Sequence, residues 1–155
     1  HIAMESKDHP VLLALTRQNV PVYAKDDKNW RETIKKGAYV VKSGSGSPDV
    51  TVVATGSEVN MALEAAAKVS KNVRVVSILD KNLFEAQSDD FQKEILGGAK
   101  RVIVAEAGVK TGWEGYVSSK KDLFTINRFG ESGPAKKVAE DLGFTAEKLA
   151  ELIGE

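Results

Sequence analysis

Cysteine is absent, which removes both a disulfide frame and a thiolate metal site. Histidine is nearly so: the two present stand at positions 1 and 9, leaving the body of the chain without an imidazole for a catalytic centre. No apolar run approaches the roughly 20 residues of a membrane-spanning helix, so no membrane segment is expected. No signal peptide is expected either, since the stretch from His1 has no basic region followed by an apolar one. Charge of one sign is not in excess: Lys plus Arg and Asp plus Glu both total 22, which argues against a nucleic-acid or membrane-surface partner. What is present is ordinary globular composition, 42% hydrophobic and 28% charged over 155 residues, enough for one domain with a substantial core. The expected compartment is the cytoplasm. The opening "HIAMESKDHP" reads as a fragment, or as a cleaved scar joined to one.

Strand and helix alternate along most of the chain. Apolar runs predict strands at 39–42, 50–54, 73–78, 101–106 and 123–127. The Gly/Ser/Pro stretch "SGSGSPD" between the first two predicts a hairpin, with the first strand antiparallel to the second. Helical spacing of Val59, Ala62, Leu63, Ala66 and Val69 predicts a helix over 57–70, with Thr55 and Glu58 as a capping box. A second helix is expected over 88–96, with Asp89 and Asp90 favourably placed at its positive end. Two more close the chain, one with Ala135, Val138, Ala139 and Leu142 on a face and one with Leu149, Leu152 and Ile153 inward. Repeated β-α-β units predict an α/β fold: three layers, helices on both faces of a five-stranded, mixed and mostly parallel sheet.

Residues 11–16 do not fit that plan. The apolar run 12–15 reads as a buried strand, yet a polar stretch of some twenty residues separates it from the next strand, long for a connection inside one domain. The expected division is therefore 1–21 as the tail of a preceding domain, 22–36 as a linker with a turn of helix near 30–35, and 37–155 as the main domain. Directly after the strand come Thr16, Arg17, Gln18 and Asn19, at the strand end where α/β sheets bind ligands.

Other motifs weigh toward structure. "ATGSEV" (54–59) offers a helix N-terminus to an anion, but Glu58 already puts a carboxylate there, and neither a G-x-G-x-x-G nor a P-loop pattern occurs. "AEAGVKTGWEGYV" (105–117) places Glu106, Trp113 and Tyr116 around glycines; packing or an interface suits these aromatics better than a catalytic cleft. In "NRFGESGPAKKV" (127–138), Arg128 can be neutralised by Glu131, with Ser132 as a helix cap and Pro134 in the first turn. No carboxylate pair and no Ser–His or Cys–His arrangement is visible, so the expected catalytic, cofactor-binding and metal-binding residues within the chain are none.

The order of these pieces resembles the C-terminal part of transketolases. "LTRQNVP" (15–21) is similar to that family's Ser/Thr-Arg-Gln-Asn signature at the end of the pyrimidine-binding domain, and the match continues through "GAYVV", "PDVTVVATGSEV", "RVVSI", "LFEAQ", "RVIVAEAG" and "RFGESGPAKKVAEDLGFTAEKL". "SILDKN" (77–82) departs from the family's usual text. The resemblance implies the non-catalytic C-terminal domain of a homodimeric enzyme of the pentose phosphate pathway, moving two-carbon ketol units between sugar phosphates. It implies thiamine diphosphate and a divalent cation (Mg or Ca) held by the N-terminal and middle domains of the same chain, and an inactive fragment here. It also implies that Arg17 binds the substrate phosphate, a role suited to a permanently charged, bidentate guanidinium. Left open are the matching domain of a related thiamine enzyme (deoxyxylulose phosphate synthase or a 2-oxo acid dehydrogenase beta subunit) and a stand-alone effector-binding module.

Overall fold

The computed structural model describes residues 2–7, 10–16 and 18–155. In chain order the elements are α1 (Ile2–Glu5), α2 (Trp30–Thr33), β1 (Ala38–Lys42), β2 (Val50–Ala54), α3 (Glu58–Ala67), β3 (Val73–Ile78), α4 (Lys81–Glu85), α5 (Asp89–Leu96), β4 (Arg101–Glu106), β5 (Leu123–Thr125), α6 (Ala135–Asp141) and α7 (Ala146–Gly154). The strands form one sheet in the order β1-β3-β2-β4-β5. Pairs β2–β3, β2–β4 and β4–β5 are parallel, and β1–β3 is antiparallel. The expected five-stranded mixed sheet is therefore present.

The hairpin is not. β1 runs antiparallel as expected, but it pairs with β3, register Ala38↔Ile78. The reason is that β3 and β4 occupy both edges of β2, so β1 cannot pair with β2 and takes the outer edge of β3. The 43–49 turn instead arches over the start of β3. Ser45 N–H donates to the Asn72 side chain at 2.8 Å, and Arg74 Nε donates to the Ser43 carbonyl at 3.1 Å. The run 12–15 also differs from expectation: it forms no strand, and Leu12, Leu13 and Leu15 stand exposed with no strand beside them to pair.

Side chains alternate between two cores, as the pleat requires. Val52 and Ala54 of β2, Val73 and Val75 of β3 and Ile103 of β4 face α3 and α7, where Val59, Ala62, Leu149 and Ile153 are fully buried. Val53, Val76, Ile78 and Val104 face the other way, onto Phe84 of α4, Ile95 of α5 and Trp113. Helices thus cover both faces, the three layers expected. α6 contributes least: Val138, Ala139 and Leu142 are half-buried and Ala135 is exposed. Its start is set by Pro134 rather than by Ser132, whose side chain makes no cap. α4 was not legible in advance; Asp80 caps it, accepting from Leu83 N–H at 2.9 Å.

Two backbone and charge features lock these layers. Gly37 enters β1 with φ +92°, and a Cβ there would lie 2.4 Å from the Asp80 carbonyl oxygen and 2.6 Å from the Phe84 nitrogen. Only glycine lets α4 approach so closely. Across the sheet, Arg101 of β4 pairs with the buried Asp122 at 2.6 Å and donates to the Leu152 carbonyl of α7 at 2.9 Å. Among the described residues no helix is long and apolar enough to cross a membrane.

Candidate functional site

Because α3 follows β2 toward β3 while the chain after β4 turns toward β5, the crevice between the ends of β2 and β4 is the topological switch point. Ligands of parallel α/β sheets bind in such crevices. Here Thr55 and Glu106 meet: Thr55 Oγ1 donates to Glu106 Oε2 at 2.7 Å, and Gly108 N–H donates to Glu106 Oε1 at 3.0 Å. The expected Thr55/Glu58 capping box is therefore not formed, since the threonine hydroxyl is committed across the sheet and α3 begins without a side-chain cap. Glu58 instead accepts from Ser57 Oγ at 2.9 Å. Burial raises the Glu58 pKa above the ordinary carboxylate value; the Ser57 hydrogen bond opposes this and the Glu106 charge adds to it.

The proximity of Glu58 and Glu106, 48 positions apart, is one that the sequence did not disclose. It has a measurable consequence. The folded state holds the Glu58 proton more tightly than the unfolded chain, so stability is greatest below the unfolded pKa and falls as pH rises through the raised folded value. Glu58→Gln should therefore melt at the same temperature as the parent near about pH 4 and above it at pH 7. Thermal denaturation at the two pH values checks this; a lower melting point for the variant at pH 7 would mean that the charged Ser57–Glu58 bond outweighs burial. Chemically, the two carboxylates hold the Thr55 and Ser57 hydroxyls, and their charge opposes a phosphate at this end of the sheet.

The loop after β4 packs rather than opens. Trp113 is buried, its ring 5.3 Å from that of Tyr116, which stacks 6.4 Å from Phe84. Burial, and then the neighbouring Glu85 carboxylate, raise the Tyr116 hydroxyl pKa. Arg128 pairs with Glu131 as the sequence suggested, and Phe129 between them is 97% exposed. Arg17 lies outside the described residues; its neighbours Thr16, Gln18 and Asn19 are exposed, and Thr16 Oγ1 donates to the Gln18 carbonyl at 3.3 Å. Among the described residues no three His, Cys, Asp or Glu side chains converge as a group that could hold a metal ion.

Fold and site together define a Rossmann-like α/β domain whose switch-point crevice is bridged by the Thr55–Glu106 hydrogen bond. Residues 37–145 match the family model described as the transketolase-like C-terminal domain. The chain is 51% identical over 153 residues to the transketolase of Treponema pallidum, covering 98% of this chain and 23% of that protein. It is 37% identical to the Bacillus subtilis transketolase, covering 98% and 24%. The chain belongs to the transketolase family and spans about a quarter of the length of these relatives. Among solved structures, transketolase from Leishmania mexicana superposes with a TM-score of 0.75 at 32% identity, over 89% of this chain and 20% of that one. A Pichia stipitis transketolase in complex with sedoheptulose-7-phosphate superposes at 0.77 and 31%, over 87% and 19%. A split-gene transketolase, described as an inactive β4 tetramer, superposes at 0.63 and 25%, over 88% of this chain and 46% of that one.

Proposed function

We propose that the chain supplies the non-catalytic C-terminal domain of a cytoplasmic, homodimeric transketolase that moves two-carbon ketol units between sugar phosphates in the pentose phosphate pathway. Residues 1–21 are then the tail of the preceding pyrimidine-binding domain, 22–36 the linker and 37–155 the C-terminal domain. The observation that carries this reading is the coverage: nearly all of this chain matches about a quarter of a transketolase. The cofactor pair, thiamine diphosphate with Mg or Ca, belongs on this reading to the N-terminal and middle domains. It supplies carbanion stabilisation there. Arg17 contributes the phosphate contact, and the exposed apolar run at 12–15 is surface that those domains would enclose. The sugar phosphate held by the Pichia relative and the inactivity of the split-gene tetramer both support this assignment.

Calorimetric titration of the 155-residue chain with thiamine diphosphate and magnesium tests it. The expected result is no saturable heat and no ketol transfer, with both appearing in the complete protein. Saturable binding at micromolar concentration by this chain alone would refute the assignment.

A further inference from the structure

The stretch 128–137 is exposed without interruption, yet its base is firmly held. Ile126 N–H donates to the Gly108 carbonyl at 3.1 Å, and Lys110 N–H donates to the Asn127 side chain at 3.0 Å, so the loops that leave β4 and β5 are pinned to each other. Asn127 Nδ2 donates in turn to Thr125 Oγ1 at 2.7 Å, and Arg128 pairs with Glu131 across the tip. This braced tip presents Phe129, 97% exposed, and the loop beside it presents Val109, 58% exposed. The chain then enters α6 through exposed Pro134 and Ala135, and α6 has no fully buried residue, whereas α3 and α7 bury four each. β5, from which the stretch leaves, ends the sheet and pairs on one side only; its three residues are half-buried. A bare phenylalanine on a braced loop, beside an amphipathic helix that its own domain leaves under-packed, marks a contact surface.

We propose that Val109, Phe129 and the face of α6 bearing Ala135 and Val138 form a subunit interface whose occupant is a second copy of the enzyme, related by a twofold axis. This rests on the reading of the enzyme as a homodimer and of 1–21 as the tail of its preceding domain. Position favours a second copy over that preceding domain. Ile2, Val11 and Leu12 line one cleft with Asp80, Asn82 and Leu83, which directly follow β3. Phe129 follows β5, three strand spacings from β3 and so about 14 Å away across the sheet. The covalent connection thus reaches the domain on the β1–β3 side, and the apolar tip stands at the opposite edge. Charge does not oppose the contact, because Arg128 and Lys137, which flank the patch, are neutralised by Glu131 and Asp141.

The test uses the complete enzyme carrying Phe129→Gln and, separately, Ala135→Arg, which sets a long cation into the same surface. Both positions are exposed in the single chain, so the 155-residue chain should keep its melting temperature with either change. In the complete enzyme, exchange of subunits between two dye-labelled pools, followed by energy transfer, should quicken about a hundredfold or more, since a twofold interface loses the aromatic anchor from both sides. Phe129→Leu keeps an apolar anchor and should exchange at a rate between the two. Exchange unchanged in both variants would overturn the proposal and leave the homodimer reading intact. A lower melting temperature of the complete enzyme with exchange unchanged would overturn it too, by placing the patch under the enzyme's own domains. So would a lower melting temperature of the 155-residue chain, by giving these residues a part in its fold. A parent enzyme that sediments as a single subunit at every concentration would refute the homodimer reading, and the interface with it.

Discussion

Arg17→Ala in the complete enzyme should lower kcat/KM for phosphorylated sugars tens to a few hundredfold and barely touch unphosphorylated analogues. A charge-assisted, bidentate guanidinium–phosphate contact is worth roughly 2–3 kcal/mol. Each 1.4 kcal/mol is about tenfold in rate, which sets the range. Lysine at this position should recover only part of the loss, because it keeps the charge but not the forked geometry. Circular dichroism and melting temperature should stay near the parent values, since the flanking residues Thr16 and Gln18 are exposed and contribute nothing to either core. Steady-state kinetics with a phosphorylated and an unphosphorylated ketose decides it. If both lose efficiency equally, the arginine serves fold or cofactor and not phosphate.

The largest stability effect is expected at Phe84. Its side chain is fully buried under the β1–β3–β2 region, within 6.2 Å (ring centroids) of Phe91 and 6.4 Å of Tyr116, and in one cluster with Val53, Val76, Ile78 and Trp113. Truncation to alanine removes the ring and leaves a cavity that the sheet cannot collapse to fill, at a cost of about 3–5 kcal/mol. For a chain of this length each 1 kcal/mol lowers the melting temperature by roughly 2–4 °C, so a fall of about 6–20 °C is expected. Phe84→Leu keeps most of the volume and should cost about 1–2 kcal/mol. Thermal denaturation of the three proteins checks the order. A loss under about 1 kcal/mol for the alanine variant would mean that α4 is not packed as described.

Strand positions could be read from the chain because each is a local property. A run such as 73–78, β-branched and apolar, has nowhere to go but a buried strand, and it emerged as β3 with those bounds. The same holds for α5, whose cap Ser88 precedes Asp89 and Asp90, and for α7, where Leu149 and Ile153 fall four apart and both reach the core. The aromatic pair Trp113 and Tyr116 was likewise legible as packing or interface, since each joins a large apolar body to a single polar tip.

What the chain did not disclose were the contacts closed between distant residues. Turn chemistry at 43–49 specified a reversal but not the neighbour, and only the presence of β3 and β4 on the two edges of β2 sent β1 to β3. T-x-x-E was a sound local signal for a capping box, but Glu106, 51 residues on, offered the Thr55 hydroxyl a charged acceptor that the helix backbone could not match. The polarity of 22–36 hid its docking against β1, because the Tyr23–Tyr39 hydroxyl pair and the Asp26 carboxylate accepting from Ser43 N–H leave no apolar period in the sequence. Apolar periodicity by itself determined the five strands of the sheet and the helices α3, α5 and α7. Which edges meet and which polar groups are satisfied across them was decided only by tertiary structure, because hydrogen-bond competition is settled by distance in space and not by distance along the chain.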